Sequence, residues 1–312
     1  MQHQMETKNI LKALNIAAEV IEVFKEKDNF TEYLLDGKYI LRISESELPE
    51  QKKNYRVKSL SSVSKIHSSG PFTVSGQKYH YLLFDYIKGN DLFTAIHSLT
   101  DEQKYNIGKE IAQFLSELHS ITNASYDMGH YIPTIPRYKG LWKDGHLEYA
   151  KLLRSGLSEI DFELNSKKMI SAAFDYIQEN INSLDYQTGA RLLHNDFHPK
   201  NIMIHEDRLA GVTDWECSQF GEADFELTHL FHWSIYLIPG NKLELVVKSV
   251  VENLQAVSYV PNLKKRMTIY QLEHDLNQLI WHGKNQEEER IYKINGWLNG
   301  QVDVLFEKWE TE

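Results

Sequence analysis

The chain has 312 residues, of which 42% are hydrophobic and 25% charged, and 34 Lys and Arg against 44 Asp and Glu give it a formal net charge of −10. These are globular proportions, sufficient for two lobes of about 100–200 residues each, and no apolar run is long enough for a membrane span. Because an acidic surface repels phosphate backbones, we expect no nucleic-acid partner and a bias towards cationic small molecules. The single cysteine, Cys217, and a polar N-terminus without a secretory leader predict a cytoplasmic protein.

The first 85 residues predict a small lobe rich in strands. Short β-compatible runs occupy Val20–Phe24, Thr31–Leu35, Lys38–Ile43, Phe72–Ser75 and Lys78–Phe84. Asp36-Gly37 is a strong two-residue hairpin signal between the second and third runs. After Pro49, apolar residues at positions 60, 63 and 66 have helical spacing and predict one helix. The result is five strands with one inserted helix.

The chain after the Gly/Asn-containing link Asp85–Asn90 predicts mainly helices. Asp101–His119 has one apolar face, acidic residues near its start and a histidine at its end, as the helix dipole favours. Further helices are predicted at His146–Leu153, Lys168–Ile181, Phe225–Leu237, Lys242–Leu254, Leu263–His282 and Glu287–Lys308. Tyr131–Tyr138, with two prolines, is predicted to be a loop. We therefore expect two domains, residues 1–86 and residues 87–312.

A segment of strand signal within the helical region contains the residues that indicate chemistry. Asp196 and Asn201 lie five positions apart in a loop, and Asn201 precedes an apolar strand. A hairpin that turns at His205–Arg208 then returns the chain to Asp214, so this pattern predicts two carboxylates and one amide at one end of the hairpin. Phosphoryl transfer needs such a set, namely a carboxylate that orients and deprotonates a hydroxyl and oxygen ligands for Mg²⁺ on the nucleotide phosphates.

His194-x-Asp196-x-x-x-x-Asn201, followed by Asp214 at a strand end, resembles the catalytic loop and metal aspartate of the aminoglycoside phosphotransferase/choline kinase family. Asp214-Trp215-Glu216 is similar to the family's variant of the kinase Asp-Phe-Gly. Gly221–Leu227 is similar to its Gly-Asp-Pro-x-x-Asp-Leu, with Glu226 where Asp is usual. The resemblance implies an α+β, two-lobed protein-kinase-like fold with a five-stranded N-lobe that carries one helix and a larger, mainly helical C-lobe.

The resemblance also implies roles for individual residues. Asp196 is expected to be the catalytic base, and His194 is expected to brace the loop by hydrogen bonds. Asn201 and Asp214 are expected to bind Mg²⁺. The backbone of Asp85 and Ile87, in the segment that corresponds to the kinase hinge, is expected to bind the adenine of ATP, or the guanine of GTP.

Two features of the N-lobe depart from the usual kinase pattern. Arg42 occupies the strand position where kinases usually carry the phosphate-binding lysine, and arginine can also bind phosphate. Glu50 is the first candidate for its acidic partner, with Glu45 and Glu47 as alternatives. The phosphate loop is expected at Glu26–Phe30, including Asn29, and it contains no glycine for close backbone approach to phosphates.

By resemblance, the expected reaction is ATP- and Mg²⁺-dependent phosphorylation of a hydroxyl on a small, amine-bearing acceptor. An aminoglycoside or amino sugar is the first choice, which implies antibiotic resistance, and choline or ethanolamine is the alternative. Glu216 and Trp281 are candidate acceptor contacts. Aromatic side chains in the large lobe could also form a cage for a quaternary ammonium.

Two hypotheses from other classes stay open on the sequence alone. A catalytically inactive nucleotide-binding scaffold is supported by the glycine-free loop and the missing lysine. A metallohydrolase could use a cluster of histidines and carboxylates, namely His194, Asp196 and His198 with His205 and Asp214. Asn201 disfavours the metallohydrolase because an amide is a poor ligand for a transition metal.

Overall fold

The computed structural model describes residues 9–27, 29–47, 60, 62–74, 76–127, 140–238 and 242–311, with side chains up to residue 307. The chain forms two compact units. The first comprises Met1–Asn90 and Ile202–Glu216, and the second comprises Asp91–Asn201 and Cys217–Glu312. The first unit therefore includes a hairpin that the sequence analysis had assigned to the C-terminal domain. Among the described residues, no helix has the length and apolar character needed to cross a membrane.

A five-stranded antiparallel sheet dominates the first unit. Its strands are β1 (Ile21–Lys27), β2 (Phe30–Leu35), β3 (Tyr39–Ser44), β4 (Ile66–Val74) and β5 (Gln77–Asp85), in the order β1-β2-β3-β5-β4. All five predicted strands are confirmed, with bounds that shift or lengthen by a few residues. Asp36 and Gly37 both have positive φ, 51° and 64°, which is the backbone geometry of a tight hairpin turn. One face of the sheet packs on a buried apolar cluster formed by Ile10, Leu11, Tyr33, Leu35, Leu41 and Ile43.

The predicted helix after Pro49 does not reach its last two apolar positions. Val63 forms a β-bridge with Val212, and Ile66 begins β4. Strand pairing satisfies the backbone here, so tertiary context overrides the helical spacing of three apolar residues. Residues 48–59 lie outside the described part of the chain, and so does the predicted loop Tyr131–Tyr138.

Helices make up most of the second unit. They are α1 (Leu92–Ala95), α2 (Asp101–His119), α3 (Trp142–Ser158), α4 (Leu164–Asn180), α5 (Thr228–His232), α6 (Glu244–Asn253), α7 (Gln255–Ser258), α8 (Leu263–His282), α9 (Glu287–Leu298) and α10 (Gln301–Thr311). Both α2 and α8 have the bounds that the sequence predicts. At the start of α2, the Thr100 hydroxyl accepts the Gln103 amide N–H and the Gln103 side chain accepts the Thr100 N–H, a capping box that fixes the first turn.

Two predicted helices are broken in the structure. The run Glu287–Lys308 becomes α9 and α10, separated at Asn299 and Gly300, where Gly300 has a φ of 80°. The run Phe225–Leu237 begins within a 3₁₀ turn, Ala223–Leu227, continues as α5 and ends as a π-helical turn, Trp233–Leu237.

Short strands flank the segment that carries the predicted catalytic residues. They are β6 (Asn90–Asp91), β7 (Arg191–Leu193), β8 (Ile202–His205), β9 (Arg208–Val212) and β10 (Gln219–Gly221). In the second unit β7 pairs with β10, and in the first unit β8 and β9 form an antiparallel hairpin. Strand signal at Arg191–Leu193, Ile202–Ile204 and Leu209–Thr213 predicts β7, β8 and β9, whereas the two-residue β6 and the three-residue β10 are not predicted from the sequence.

A buried ion pair ties α8 to the 3₁₀ turn Ala223–Leu227. Arg266 and Asp224 are both fully buried, and the guanidinium donates to both Asp224 oxygens at 2.6 and 2.8 Å. It also donates to the carbonyls of Ser183 and Tyr186 at 3.0 and 2.9 Å. A buried ion pair is tolerated when its remaining donors are satisfied in this way. The pair fixes the turn that also carries Glu226.

Candidate active site

The loop between β7 and β8 carries Asp196 and Asn201 and is closed by its own backbone. The His198 N–H donates to the Asp196 carbonyl at 3.0 Å, and the Asn201 N–H donates to the His198 carbonyl at 2.9 Å. Asn195 has a φ of 65°, a left-handed conformation that asparagine tolerates better than most residues. The loop therefore has a defined shape before any ligand is considered.

Glu226 anchors the beginning of this loop. Its carboxylate is 1% exposed and accepts the backbone N–H groups of His194 and Asn195 at 2.7 and 2.9 Å. Charge-assisted hydrogen bonds of this kind are about twice as strong as neutral ones. From the sequence, Glu226 is notable only as a departure from the family's motif. In the structure its side chain holds the backbone of Asn195, which lies 31 positions earlier in the chain.

His194 is fully buried, and its ring contacts the loop. Its Nδ1 accepts the Asp196 N–H at 3.2 Å, and its ring packs edge-on against Phe197 at a centroid distance of 5.9 Å. These are contacts that a bracing side chain makes. Its predicted role is compatible with this geometry and stays a prediction.

Asp196 is surrounded by polar side chains of its own unit. The Asn201 amide nitrogen donates to the Asp196 carbonyl at 2.9 Å and to Oδ2 at 3.2 Å. His198 Nε2 lies 3.6 Å from Oδ2, and His229 Nε2 lies 3.9 Å from Oδ1. Burial by itself would raise the pKa of the Asp196 carboxyl. The hydrogen bond with His198 and the charges of the neighbouring imidazoles outweigh burial and hold that pKa well below its usual range. Asp196 is therefore ionised at neutral pH.

Two histidines beside Asp196 have contacts that sequence reasoning did not foresee. The His198 ring stacks on Trp233 at a centroid distance of 5.0 Å, which holds it next to the carboxylate. His229, on α5, was not a candidate at all, because it is 33 positions from Asp196 and only tertiary folding brings the two together. Its position just after the Gly221–Leu227 motif is the one signal that could have pointed to it.

In the first unit, Asp214 follows the end of the β8–β9 hairpin. Ile202 pairs with Val212, so β8 begins and β9 ends at the same end of the hairpin. Asp214 has a φ of 66°, and the buried Trp215 indole donates to the Val212 carbonyl at 3.0 Å. The turn that presents Asp214 is thus held by the next side chain. Glu216, also in this turn, is exposed.

Arg42 pairs with Glu32 on the neighbouring strand. The two residues lie directly opposite each other in the β2–β3 register, and Arg42 Nε and Nη2 both lie 2.8 Å from Glu32 Oε1. The guanidinium also lies over the Phe30 ring at 4.5 Å. Glu32 is thus an acidic partner that the sequence analysis missed.

The sequence-based candidates for that partner are Glu50, Glu45 and Glu47. Glu45 accepts a hydrogen bond from the Gln77 amide at 2.9 Å, and Glu47 is exposed. Glu50 lies outside the described residues. The predicted pairing of Glu50 with Arg42 therefore stays a prediction, and Glu32 is a partner that the described residues add.

The backbone groups of Asp85 are already used within the first unit. Its N–H donates to the Lys65 carbonyl at 3.1 Å, and its carbonyl accepts the Ser64 hydroxyl at 2.6 Å. A carbonyl has two lone pairs, so this one can still accept from a nucleotide base. Ile87 packs against β9 at Gly211. Their predicted nucleotide contacts stay predictions.

Two further candidates are exposed. Asn29 follows β1 in the short connection to β2, where Lys27 pairs with Phe30, and its neighbour Asp28 is not described. Trp281 lies at the end of α8 and is 76% exposed. Their predicted roles at the nucleotide and the acceptor stay predictions.

The group of possible metal ligands found among the described residues includes none of the residues of the metallohydrolase hypothesis. Among the described residues, the group with suitable spacing is His232, His274 and Asp275, whose ligand atoms lie within 4.8 Å of one another. Asp275 in that group already binds Arg290 at 2.9 Å and the Trp297 indole at 2.7 Å. Neither arrangement favours a transition-metal hydrolase.

The fold and the loop define a class, and comparison with known proteins identifies the family. The chain belongs to the phosphotransferase enzyme family, whose model matches residues 21–241. It is a small-molecule phosphotransferase that uses an alcohol group as acceptor, and the predictions of family, fold and enzyme class are confirmed. A search of curated proteins finds no significant match.

Solved structures with a similar fold include aminoglycoside phosphotransferases. APH(4)-Ia superposes with a TM-score of 0.68 at 16% identity, covering 97% of this chain and 99% of that one. APH(2″)-IIa in a streptomycin–ATP ternary complex gives a TM-score of 0.63 at 18% identity, covering 96% and 97%. A GDP and kanamycin complex of a third enzyme gives 0.64 at 14% identity, covering 96% and 98%. The chain therefore has the two-lobed, protein-kinase-like fold.

Proposed function

We propose that this protein transfers the γ-phosphoryl group of ATP or GTP to a hydroxyl of an amine-bearing small molecule, with Mg²⁺ as the metal. The observation that carries the proposal is the loop 194–201. It holds an ionised Asp196 against Asn201 and is anchored by a buried carboxylate, Glu226. Phosphoryl transfer depends on positioning and electrostatics, and a rigid loop with one ionised carboxylate supplies both.

In the proposed reaction Asp196 orients the acceptor hydroxyl and receives its proton. The hydroxyl oxygen forms a bond to the γ-phosphorus, the bond from that phosphorus to the β–γ bridging oxygen breaks, and the nucleoside diphosphate leaves with that electron pair. Because the pKa of Asp196 is low, the carboxylate is a weak base and mainly holds the hydroxyl in line. The proton moves late, as the attacking oxygen loses electron density, and then passes to solvent.

Asn201 and Asp214 are the proposed Mg²⁺ ligands, and their chemistry fits that ion. Mg²⁺ prefers carboxylate and amide oxygens. The Asn201 amide nitrogen donates to Asp196, and an amide binds Mg²⁺ through its oxygen. When bound, Mg²⁺ would neutralise charge on the nucleotide phosphates.

Nucleotide binding is assigned to the first unit. We propose that Arg42, held by Glu32, contacts the phosphates, that Asn29 lies in the phosphate loop, and that the backbone of Asp85 and Ile87 contacts the base. Glu50, the first sequence candidate for the acidic partner of Arg42, stays a proposed partner beside Glu32. An arginine on a strand can bind phosphate through paired N–H groups.

The proposed acceptor class is an aminoglycoside or amino sugar, and its phosphorylation would confer antibiotic resistance. Support comes from the relatives named above and from a complex of APH(4)-Ia with AMP-PNP and hygromycin B. The acidic chain, with a net charge of −10, also favours a cationic acceptor. Ethanolamine or choline is the second candidate. Glu216 and Trp281 stay proposed acceptor contacts.

A coupled assay of ADP or GDP release over aminoglycosides, amino sugars, amino alcohols and neutral sugars tests the proposal. We expect Mg²⁺-dependent release with at least one amine-bearing acceptor. A thermal-shift measurement with ATP and Mg²⁺ runs in parallel. Stabilisation by ATP without turnover on any acceptor would favour the inactive scaffold instead.

A further inference from the structure

The His198 ring is held in one orientation beside Asp196. The backbone N–H of Lys200 donates to His198 Nδ1 at 3.2 Å. One face of the ring stacks on the Trp233 indole, with the centroids 5.0 Å apart and the planes inclined by 18°. Trp233 is itself packed, because its ring meets the Phe93 ring edge to face at 5.5 Å. The imidazole therefore has a fixed plane and a fixed position for each of its two nitrogens.

The contact with Lys200 determines which ring nitrogen carries the proton. A backbone N–H can only donate, so Nδ1 accepts, and the single proton of a neutral imidazole then lies on Nε2. His198 Nε2 lies 3.6 Å from Asp196 Oδ2. The neutral ring thus presents an N–H donor to the carboxylate.

Two donors share the Oδ2 oxygen of Asp196. The Asn201 amide nitrogen lies 3.2 Å from Oδ2 and 3.4 Å from His198 Nε2. Two nitrogens with this spacing can both donate to the oxygen between them. The separation of 3.6 Å from His198 is long, and catalytic hydrogen bonds are often long before the substrate binds and shorten in the complex.

The second carboxylate oxygen, Oδ1, has no such partner. Among the residues that the structure describes, none donates a hydrogen bond to Oδ1, and His229 Nε2 lies 3.9 Å away from it. The Asp196 side chain is 32% exposed, so a ligand can reach the carboxylate. One oxygen is therefore held by the loop, and the other is available to an acceptor hydroxyl.

We propose that His198 is a positioning residue for phosphoryl transfer, whose Nε2–H holds Oδ2 of Asp196 so that Oδ1 receives the acceptor proton. The inference rests on the proposed kinase function and deepens it by assigning separate roles to the two oxygens. The terminal torsion of an aspartate is broad, and two donors on one oxygen restrict it. The acceptor hydroxyl then meets one oxygen in one geometry, as a near-attack arrangement requires.

Two substitutions separate this role from a purely structural one. In a structural role, Nδ1 of His198 would close the loop by accepting the Lys200 N–H, and Nε2 would be dispensable. The amide of His198→Asn occupies the region of Nδ1, whereas the amide of His198→Gln reaches the region of Nε2 and can donate there. A structural role therefore favours asparagine as the substitute, and the positioning role favours glutamine.

Single-turnover phosphorylation measures the difference between the two variants. We expect His198→Asn to lower the rate of phosphoryl transfer by about 10–10²-fold and His198→Gln by less than about threefold, with the Kd for ATP–Mg²⁺ unchanged in both. His282→Asn, at an exposed histidine that ends α8, is the control and should keep the wild-type rate. A wild-type rate for His198→Asn, or a larger loss in His198→Gln than in His198→Asn, would overturn the proposal.

NMR of the protein labelled with ¹⁵N in its histidine rings tests the proposal without turnover. The His198 signals are identified by their absence from whichever variant folds. At about pH 8, where histidine is ordinarily neutral, we expect a proton on Nε2 and none on Nδ1. A proton on Nδ1 would overturn the proposal whatever the kinetics show. Failure of the kinase function is a separate result, because the wild type would then release no nucleoside diphosphate with any acceptor while the position of the His198 proton could still be measured.

Discussion

Glu226→Gln tests whether one buried carboxylate sets the shape of the catalytic loop. Glutamine is isosteric, but it keeps only one acceptor oxygen and turns an amide group towards a backbone N–H. One of the two hydrogen bonds, from the backbone N–H of His194 or of Asn195, is therefore lost. In its place the glutamine NH₂ group faces that backbone N–H, and both groups are donors. A hydrogen bond to a charged group contributes about 1.5–3 kcal/mol, and a buried unsatisfied donor costs a further 1–3 kcal/mol, so we expect a loss of about 3–5 kcal/mol in the free energy of unfolding.

The same change should slow phosphoryl transfer because the loop carries Asp196. A displacement of about 1 Å costs on the order of 10²-fold in rate, so we expect kcat to fall by that factor while the Kd for ATP–Mg²⁺ stays nearly constant. Glu226→Asp keeps both oxygens on a shorter side chain and should give an intermediate loss. Urea unfolding and single-turnover kinetics measure the two effects.

Glu222→Gln is the matched control for this prediction. Glu222 is also 1% exposed and accepts two backbone N–H groups, from Thr188 and Gly189, but it does not contact the catalytic loop. It should lower stability comparably and leave the rate of the remaining folded protein unchanged. If Glu226→Gln keeps wild-type turnover, or if both variants lose kcat equally, Glu226 does not act by positioning the loop.

Three further predictions concern other parts of the molecule. Arg42→Met should raise the Kd for ATP–Mg²⁺ by about tenfold and Arg42→Lys by less, measured by calorimetry; an unchanged Kd contradicts the phosphate role. Burial, the main cause, lowers the pKa of His232 to about 3. Below about pH 6.5, His232 therefore binds a proton in the unfolded chain but not in the folded chain. The free energy of unfolding falls by about 1.4 kcal/mol by about pH 5.5. Urea unfolding should show that loss, and His232→Gln should reduce it; an identical pH dependence refutes the assignment. Gly89 has a φ of 134°, and a Cβ there would lie 2.2 Å from the Ile204 carbonyl oxygen, so Gly89→Ala should cost about 2–3 kcal/mol in the same assay, and a neutral effect would contradict the strain.

Local signals explain which elements the sequence predicts well. The capping box at Thr100 and the single apolar face of α2 act over neighbouring residues, so its bounds follow from the sequence. Asp196, Asn201 and Asp214 belong to a motif with fixed spacing around a hairpin. Such features need no knowledge of distant packing.

The partner of Arg42 shows why other contacts escape such reasoning. A strict two-residue hairpin at Asp36-Gly37 pairs Leu35 with Lys38, which puts Leu41 opposite Glu32. In the structure Leu35 pairs with Tyr39, and this shift of one residue brings Arg42 opposite Glu32. The local turn signal does not determine that shift.

Contacts made through tertiary packing are further beyond the sequence. Glu222 accepts the backbone N–H groups of Thr188 and Gly189, far earlier in the chain, and Glu226 reaches the loop across β7 and β10. Both are acidic residues in mainly helical surroundings, where a solvent-exposed position is the usual expectation. Their burial, and hence their importance, appears only in three dimensions.

The central claim is that Asp196 is the base that receives the acceptor proton. Single-turnover phosphorylation by Asp196→Asn, with the Kd for ATP–Mg²⁺ measured on the same preparation, tests it most directly. We predict that the rate falls by about 10²–10⁴-fold while the Kd changes by less than about threefold. A rate equal to that of the wild type, with nucleotide still bound, would contradict the account.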